Sequence, residues 1–521
     1  MDQLFLDRRS FLRGAAALGV GGALASVITP ATRYALADGE SGPAIVIGRP
    51  VDSDDLDPVT CIGNVNIFVF NLILEGLVKT SDDGSSVEPD LAESWDISDD
   101  GKTYTFHVKS GLKFSDGTDV TAQDWQWTFD RAMQYTDGNW YSTVENIDKV
   151  ETPDDTTVVI TLKQAAASTL ANLSIFMLGV QSKAYYDKVG ADEYKNGPLG
   201  TGPFKVKSWE KGVSLILEKN TGYRDAGKPL ASTVEFRVVA DDDSRTLQLQ
   251  SGDLDIATDV PFVTMQQLES DANCQAHPDP STMVYWVSLN TTNEHLKDPN
   301  VRKALYLATD AKQIADAVTY GYGNPVGSIM APTSQYCDTD IPAPAADLDQ
   351  AKQLLSDAGL GGGFDLTLLL RSGNAQYEEI AMLLQAQWSK VGVNVTLDQR
   401  ESTAYSDARK KGEMDLIISG WSDDIQDPTQ LMQFVFDYSV TSGYYSFYQQ
   451  PDDMLKLNSE ATVETDVEKR KDLYRQIQEG LRDQYIFIPL YTTPWQNAIR
   501  RNVSGFVQTP LGNYRFADLT K

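Results

Sequence analysis

An acidic loop and a single arginine carry the side chains best suited to holding a charged small molecule. The loop is Gly420-Trp421-Ser422-Asp423-Asp424-Ile425-Gln426-Asp427-Pro428. Leu416-Ile417-Ile418-Ser419 ahead of it has the pattern of a buried strand, and Asp427 can cap a helix that begins at Pro428. A strand-to-helix turn of this kind is a usual place for ligands in open α/β sheets. A carboxylate fixed there and facing an ammonium forms a charge-assisted bond worth about 1.5–3 kcal/mol. Asp423 and Asp424 compete for that role, since a slip of one residue exchanges them, and a solvated acidic loop is the plain alternative. Arg371 ends the apolar strand 364–370. Its guanidinium offers two parallel donors to a carboxylate, fixing orientation as well as charge. The plain alternative for Arg371 is a strand end that points to water or pairs with Glu378 or Glu379. Trp421, Tyr285 and Trp286 could wall a pocket, because aromatic rings give large contact area at low entropy cost. Tyr285 and Trp286 are adjacent in a strand, so only one of them should face a cleft.

Catalytic patterns are missing from the sequence. No serine stands in a G-x-S-x-G elbow, and neither H-E-x-x-H nor paired CxxC occurs. Gly321-x-Gly323-x-x-x-Gly327 has the wrong spacing for a dinucleotide loop, and Pro325 interrupts it. Adjacent acids such as Asp423 and Asp424 diverge on a loop and do not form the facing pair of a glycosidase. His107, His277 and His295 are scattered, and Cys61, Cys274 and Cys337 lack metal-ligand spacing. We therefore expect no enzyme, no cofactor and no metal. One disulfide is open to the three cysteines after export, with nothing in the sequence to choose it.

The chain opens with Asp7-Arg8-Arg9-Ser10-Phe11-Leu12-Arg13, an apolar Ala- and Gly-rich stretch 14–28, and Ala35-Leu36-Ala37. A charged start, apolar middle and small-x-small end make a signal peptide over residues 1–37. The paired arginines followed by Phe-Leu read as a twin-arginine leader cleaved before Asp38. No cysteine near that site offers a lipid anchor, so a soluble exported protein is expected. The formal charge is −30; the leader's four arginines against two aspartates leave the mature chain at −32. Such acidity argues against nucleic acid and anionic lipid as partners.

Strand and helix patterns alternate throughout, which indicates an α/β fold, and the length suggests two or three lobes. Residues 44–47, 233–239 and 283–289 read as buried strands; 64–77, 347–358 and 377–391 read as helices. Residues 88–131 are the most informative stretch. The turn Ser98-Asp99-Asp100-Gly101 separates Trp95-Asp96-Ile97 from a strand in which Tyr104, Phe106 and Val108 alternate with polar neighbours. A second turn, Ser115-Asp116-Gly117, follows Leu112-Lys113-Phe114. Thr121 then caps a helix whose Trp125 and Phe129 share a face.

That order also resembles the signature region of the family 5 solute-binding proteins of bacterial ABC importers. The resemblance is carried by Leu91-Ala92-Glu93 with Trp95, Asp100-Gly101 with Tyr104 and Phe106, Phe114 with Asp116-Gly117, and Ala122 with Asp124. Further likenesses are Leu56-Asp57-Pro58, Glu75-Gly76-Leu77-Val78, Gly200-Thr201-Gly202-Pro203-Phe204, Asn220 with Tyr223, residues 249–255, Leu289-Asn290-Thr291, and Val301-Arg302-Lys303-Ala304-Leu305. They span nearly the whole chain beyond the leader. The resemblance implies a periplasmic binding protein-like type II fold, two lobes with an extra domain (three domains) and a hinge. Domain I would be residues 38–77, 198–286 and 497–521, domain II 78–197 and domain III 287–496, with hinge crossings near 287 and 496. It implies periplasmic capture of a small peptide, a dipeptide or oligopeptide, by a monomer that delivers it to ABC permease subunits. An opine, a sugar derivative or a metal chelate are alternative solutes, and a secreted hydrolase is the alternative of another class.

The loop 420–428 resembles the family's glycine-tryptophan-x-x-aspartate-x-x-aspartate-proline loop, in which the aspartate at the Asp424 position takes a peptide's α-ammonium. Aligning Gln385-Ala386-Gln387-Trp388 with the matching helix of dipeptide-binding members puts Arg371 on their carboxylate-binding arginine. Together the two would measure a zwitterion, since an extended residue spans about 3.3–3.6 Å. Gly373 departs from the pattern, because dipeptide binders of this kind carry a tyrosine there. Its loss would enlarge the pocket and relax dipeptide specificity.

Overall fold

A computed structural model of the chain describes residues 42–436 and 450–521, so the leader over 1–37 lies outside the described residues. Three larger sheets organise the described chain. The first has seven strands in the order Cys274–Asp279, Trp495–Arg500, Ile256–Ala257, Ala44–Arg49, Thr233–Val238, Ser214–Lys219 and Phe204–Glu210. At its centre Ala44–Arg49 pairs parallel with Thr233–Val238. Ile45 and Ile47 of that strand are wholly buried, as its apolar run requires.

The second sheet has six strands, ordered Asn324–Pro325, Phe487–Thr492, Val284–Leu289, Leu416–Trp421, Phe364–Arg371 and Val393–Arg400. Val284–Leu289 is buried along its length, and its alternate residues enter two core clusters on opposite faces: Tyr285, Val287 and Leu289 in one, Val284 and Trp286 in the other. The chain passes from the first sheet to the second between Asp279 and Val284, and returns between Thr492 and Trp495. The two crossings are tied together. Ser281 donates to the Thr493 carbonyl, and Thr492 Oγ1 donates to the Met283 carbonyl at 2.7 Å.

The third sheet is antiparallel, ordered Ala92–Ile97, Thr103–Val108, Thr157–Leu162 and Ile147–Asp154. Helix Ala122–Gln134 packs on it, with Trp125 and Phe129 buried. Its start is the reciprocal capping arrangement that Thr121 and Asp124 encode three residues apart. An ion pair between Arg131 of this helix and buried Asp57 joins the third sheet's body to the loop after Ala44–Arg49.

One sequence expectation needs correction. The helix read over 64–77 stops at Phe70. Beyond it, the Leu72 carbonyl accepts from Phe204 N and the Ile73 carbonyl from Gly202 N, each at 2.9 Å. The glycine-rich segment 200–204 thus takes the carbonyls for itself. The helices expected over 347–358 and 377–391 are Leu348–Asp357 and Ala375–Trp388, the second extended by a short turn to Val391. The three cysteines are free thiols.

Candidate ligand-binding cleft

Strand Phe364–Arg371 carries Arg371 out of the sheet, and Gly373 turns the chain at φ +81° into helix Ala375–Trp388. Asn374 caps that helix by accepting from Tyr377 N at 3.0 Å. Only glycine holds such a φ without strain, and a Cβ on Gly373 would meet open space. The glycine noted as a departure from the dipeptide-binder pattern therefore serves the turn and leaves the space beside Arg371 free. Arg371 is exposed and opens into a cavity of about 610 Å³. Among the described residues it has no hydrogen-bond or ion-pair partner, so neither Glu378 nor Glu379 neutralises it.

This cavity lies between the two large sheets. Residues 371–376 and Glu379 line it from the six-stranded side, and Asp242, Asp259, Phe262 and Gln496 from the seven-stranded side. It continues into a smaller chamber of about 240 Å³ that shares Asp259, Gln376 and Gln496. Arg49, Asn64, Tyr285, Trp495, Asn497 and Tyr514 stand around the chamber. Tyr285 packs on Tyr491 with ring centres 5.0 Å apart, and burial pushes its hydroxyl up to about 12. A Cβ on Gly420 would stand 3.0 Å from the Tyr285 ring, so the first residue of the acidic loop is small to make room for this wall. Of the adjacent aromatic pair, Tyr285 lines the chamber. Trp286 is a correction to the list of candidate wall residues: it is wholly buried in the core, stacks edge-on against Phe487 and donates from Nε1 to Ser288 Oγ at 2.9 Å.

The acidic loop is set differently. Trp421 donates from Nε1 to Asp423 Oδ1 at 2.8 Å and packs against Phe434 at 5.3 Å, which in turn lies 6.5 Å from Trp140 of the third sheet's body. Asp423 N donates to Thr282 Oγ1 in the first chain crossing. Asp424 and buried Gln430 exchange two hydrogen bonds, of 2.9 and 3.0 Å. Burial pushes both carboxyls up to about 7, with the neighbouring acids Asp424 and Asp427 adding to the effect on Asp423. Asp427 accepts from Thr429 N at the start of the short helix Thr429–Leu431, and forms a buried two-pronged ion pair with Arg470 at 2.6 and 2.9 Å. Asp423 lines a separate small cavity with Thr282, Met330 and Pro510. Asp424 is not among the residues lining the cavity of Arg371. The acids on that cavity are Asp242, Asp259 and Glu379, and Asp242 is already paired with Arg245 at 2.6 Å.

Sequence reasoning missed Asp259, Arg49 and Gln376. A signal was present for Asp259. Ile256-Ala257-Thr258-Asp259-Val260-Pro261 is a strand end, an acid and a helix-starting proline, the same pattern that drew attention to residues 416–428.

The fold agrees with comparisons to known proteins. A family model for bacterial extracellular solute-binding proteins, family 5 (middle), matches residues 86–443. An Escherichia coli K12 protein named "Probable D,D-dipeptide-binding periplasmic protein DdpA" is 31% identical over 480 residues, 90% of this chain and 92% of that protein. The ABC transporter-associated periplasmic binding protein DppA from Helicobacter pylori, solved with the peptide STSA, superposes with a TM-score of 0.80 at 27% identity, over 92% of this chain and 99% of that one. The binding protein AgaA from A. tumefaciens R10, solved with agropinic acid, gives a TM-score of 0.77 at 25% identity over 91% and 98%. The chain belongs to the bacterial extracellular solute-binding proteins of family 5, non-enzymatic binding components of ABC importers.

Proposed function

We propose that this protein captures a small peptide, or a closely related amino-acid-derived solute, and delivers it to an ABC permease. The observation that carries the reading is Arg371, an exposed guanidinium with no partner among the described residues, set in a cavity between two sheets. A carboxylate is the ligand group such a fork takes in two parallel bonds. Tyr285 supplies an apolar wall that tolerates varied side chains. The names of relatives support the choice of peptide: one is described as binding D,D-dipeptides and another was solved with a tetrapeptide. An opine is the second reading, favoured by the likeness to a protein solved with agropinic acid, which shares the amino-acid carboxylate chemistry. Among the described residues no group of three or more His, Cys, Asp or Glu is placed to hold a metal ion.

The leader over residues 1–37 directs a folded chain through the twin-arginine route to the periplasm, where it acts as a soluble monomer. Among the described residues no helix is long and apolar enough to cross a membrane. The three sheets correspond to three domains, and the paired crossings at 280–283 and 493–494 are the hinge. The ligand favours the closed form because it touches both sides.

Calorimetry with L-alanyl-L-alanine and its C-terminal amide tests the reading. The free acid is expected to bind at least about tenfold more tightly, and Arg371→Ala to erase that preference while the melting temperature holds. Equal binding of acid and amide by the unmutated protein contradicts it.

A further inference from the structure

We propose that Asp259, on the wall of the cleft that faces the strand of Arg371, receives the ligand's ammonium group. The inference rests on the peptide reading above and adds the residue that reads the ligand's other end.

Three observations converge on this side chain. Asp259 is the acid common to both parts of the cavity, the part that holds Arg371 and the chamber that holds Tyr285. Asp259 is exposed as a residue, although protein surrounds its carboxyl. Only Oδ2 is engaged, by Thr258 Oγ1 at a long 3.3 Å, and Oδ1 has no hydrogen-bond partner among the described residues. Its backbone adopts φ +51°, a conformation that non-glycine residues take rarely and keep only where neighbours enforce it. Arg245 is the enforcing neighbour. Wholly buried, it donates to the Thr258 carbonyl at 3.1 Å, the Asp259 carbonyl at 2.8 Å and the Val239 carbonyl at 2.8 Å. A buried guanidinium therefore grips the turn on both sides of Asp259 and holds it at the cleft.

The charge balance favours the same conclusion. Burial raises the carboxyl of Asp259, while Arg245 and Arg49 pull it back toward the ionised form. Arg49 lines the same chamber, is 5% exposed, and leaves its Nε without a partner. Its other nitrogens are spent on Asp52, Ser53 and the Val65 carbonyl. It stabilises the charge on Asp259 from a distance and pairs elsewhere. Against Arg371 the cavity thus presents Asp259 and Glu379, acids with no ion-pair partner among the described residues. A ligand carrying one carboxylate and at least one ammonium complements that set. Asp424, whose carboxylate accepts one bond from Gln430, does not line this cavity and is outside that set.

The test compares L-alanyl-L-alanine with propionyl-L-alanine, which keeps the carboxylate and lacks the amine, against the unmutated protein and Asp259→Asn. Asparagine tolerates the positive φ, so the turn survives. The unmutated protein is expected to prefer the amine-bearing ligand by roughly tenfold to a hundredfold. Asp259→Asn is expected to lose that preference and keep the affinity for propionyl-L-alanine, the pattern that isolates a pairwise contact. A variant that still prefers the amine as strongly overturns the assignment and leaves the peptide reading intact. Equal loss for both ligands makes Asp259 structural and overturns it too. If the unmutated protein binds neither ligand, this assignment falls together with the reading beneath it.

Discussion

Arg371 and Asp427 show how differently two charged side chains in neighbouring strand-end loops are used. Asp427 is saturated by Arg470 and Thr429 N, in a buried setting where removing one partner leaves an uncompensated charge. Arg470→Ala is expected to cost about 3–5 kcal/mol in chemical denaturation, with ligand affinity unchanged in the protein that remains folded. Arg371 has no such partner among the described residues, and in the proposed reading its loss is expected to act on binding. Asp423 and Asp424 make a third case. Their folded carboxyls are raised to about 7, above the ordinary range near 4. Between about pH 4 and 7 the folded form holds more protons there than the unfolded form, so this contribution to stability is complete below the unfolded value and is lost as pH rises toward 7. Replacing both by Asn is expected to flatten the fall in melting temperature over that window, relative to the unmutated protein. An unchanged profile contradicts the burial argument. Individual residue roles were only partly legible in the sequence. The strand-end positions of Arg371 and Trp421 followed from apolar runs. Asp423 and Asp424 are engaged from nearby in the chain, by Trp421 and Gln430, whereas the ion pair that fixes Asp427 comes from Arg470, a tertiary pairing that leaves no local trace.

Elements were legible wherever periodicity and a cap agreed. Helix Ala122–Gln134 begins where Thr121 and Asp124 say it should, and helix Leu348–Asp357 begins after Asp347, whose side chain accepts from Gln350 N. The segment after Phe70 failed because its apolar run fits a helix equally well and its fate is decided by a distant strand. Gly202 and Gly200 lie so close to residues 72 and 73 that a Cβ would stand 2.7 Å from the Leu72 carbonyl oxygen and 2.1 Å from the Ile73 carbonyl oxygen, respectively. Backbone cannot yield as a side-chain tip does. Gly202→Ala is therefore expected to cost more than about 1–3 kcal/mol, the range for ordinary overpacking. Gly227→Ala, where φ is +82° but no atom crowds the Cβ, is expected to cost less. Urea midpoints of the two variants check the ordering.

At the scale of the molecule, the chain crosses between the two large sheets twice, at adjacent and mutually hydrogen-bonded places. In the proposed reading these two short connections would serve as the hinge about which one sheet's body turns against the other. Alternating strand and helix patterns made the α/β class legible in the sequence. The strand at which each crossing falls was not, because Val284–Leu289 reads as buried in either sheet. The cleft that results has walls from both bodies, and a ligand at hundredfold excess over its dissociation constant should add about 2.7 kcal/mol of stability. The account rests on the claim that the solute lies in this cleft with its carboxylate on Arg371. The most direct measurement is a crystal structure of the protein carrying the ligand it retains through purification. The account predicts a carboxylate in two-pronged contact with the Arg371 guanidinium and ligand atoms against Tyr285. A ligand seated between the Trp421 loop and the third sheet's body, with Arg371 facing bulk water, would contradict it.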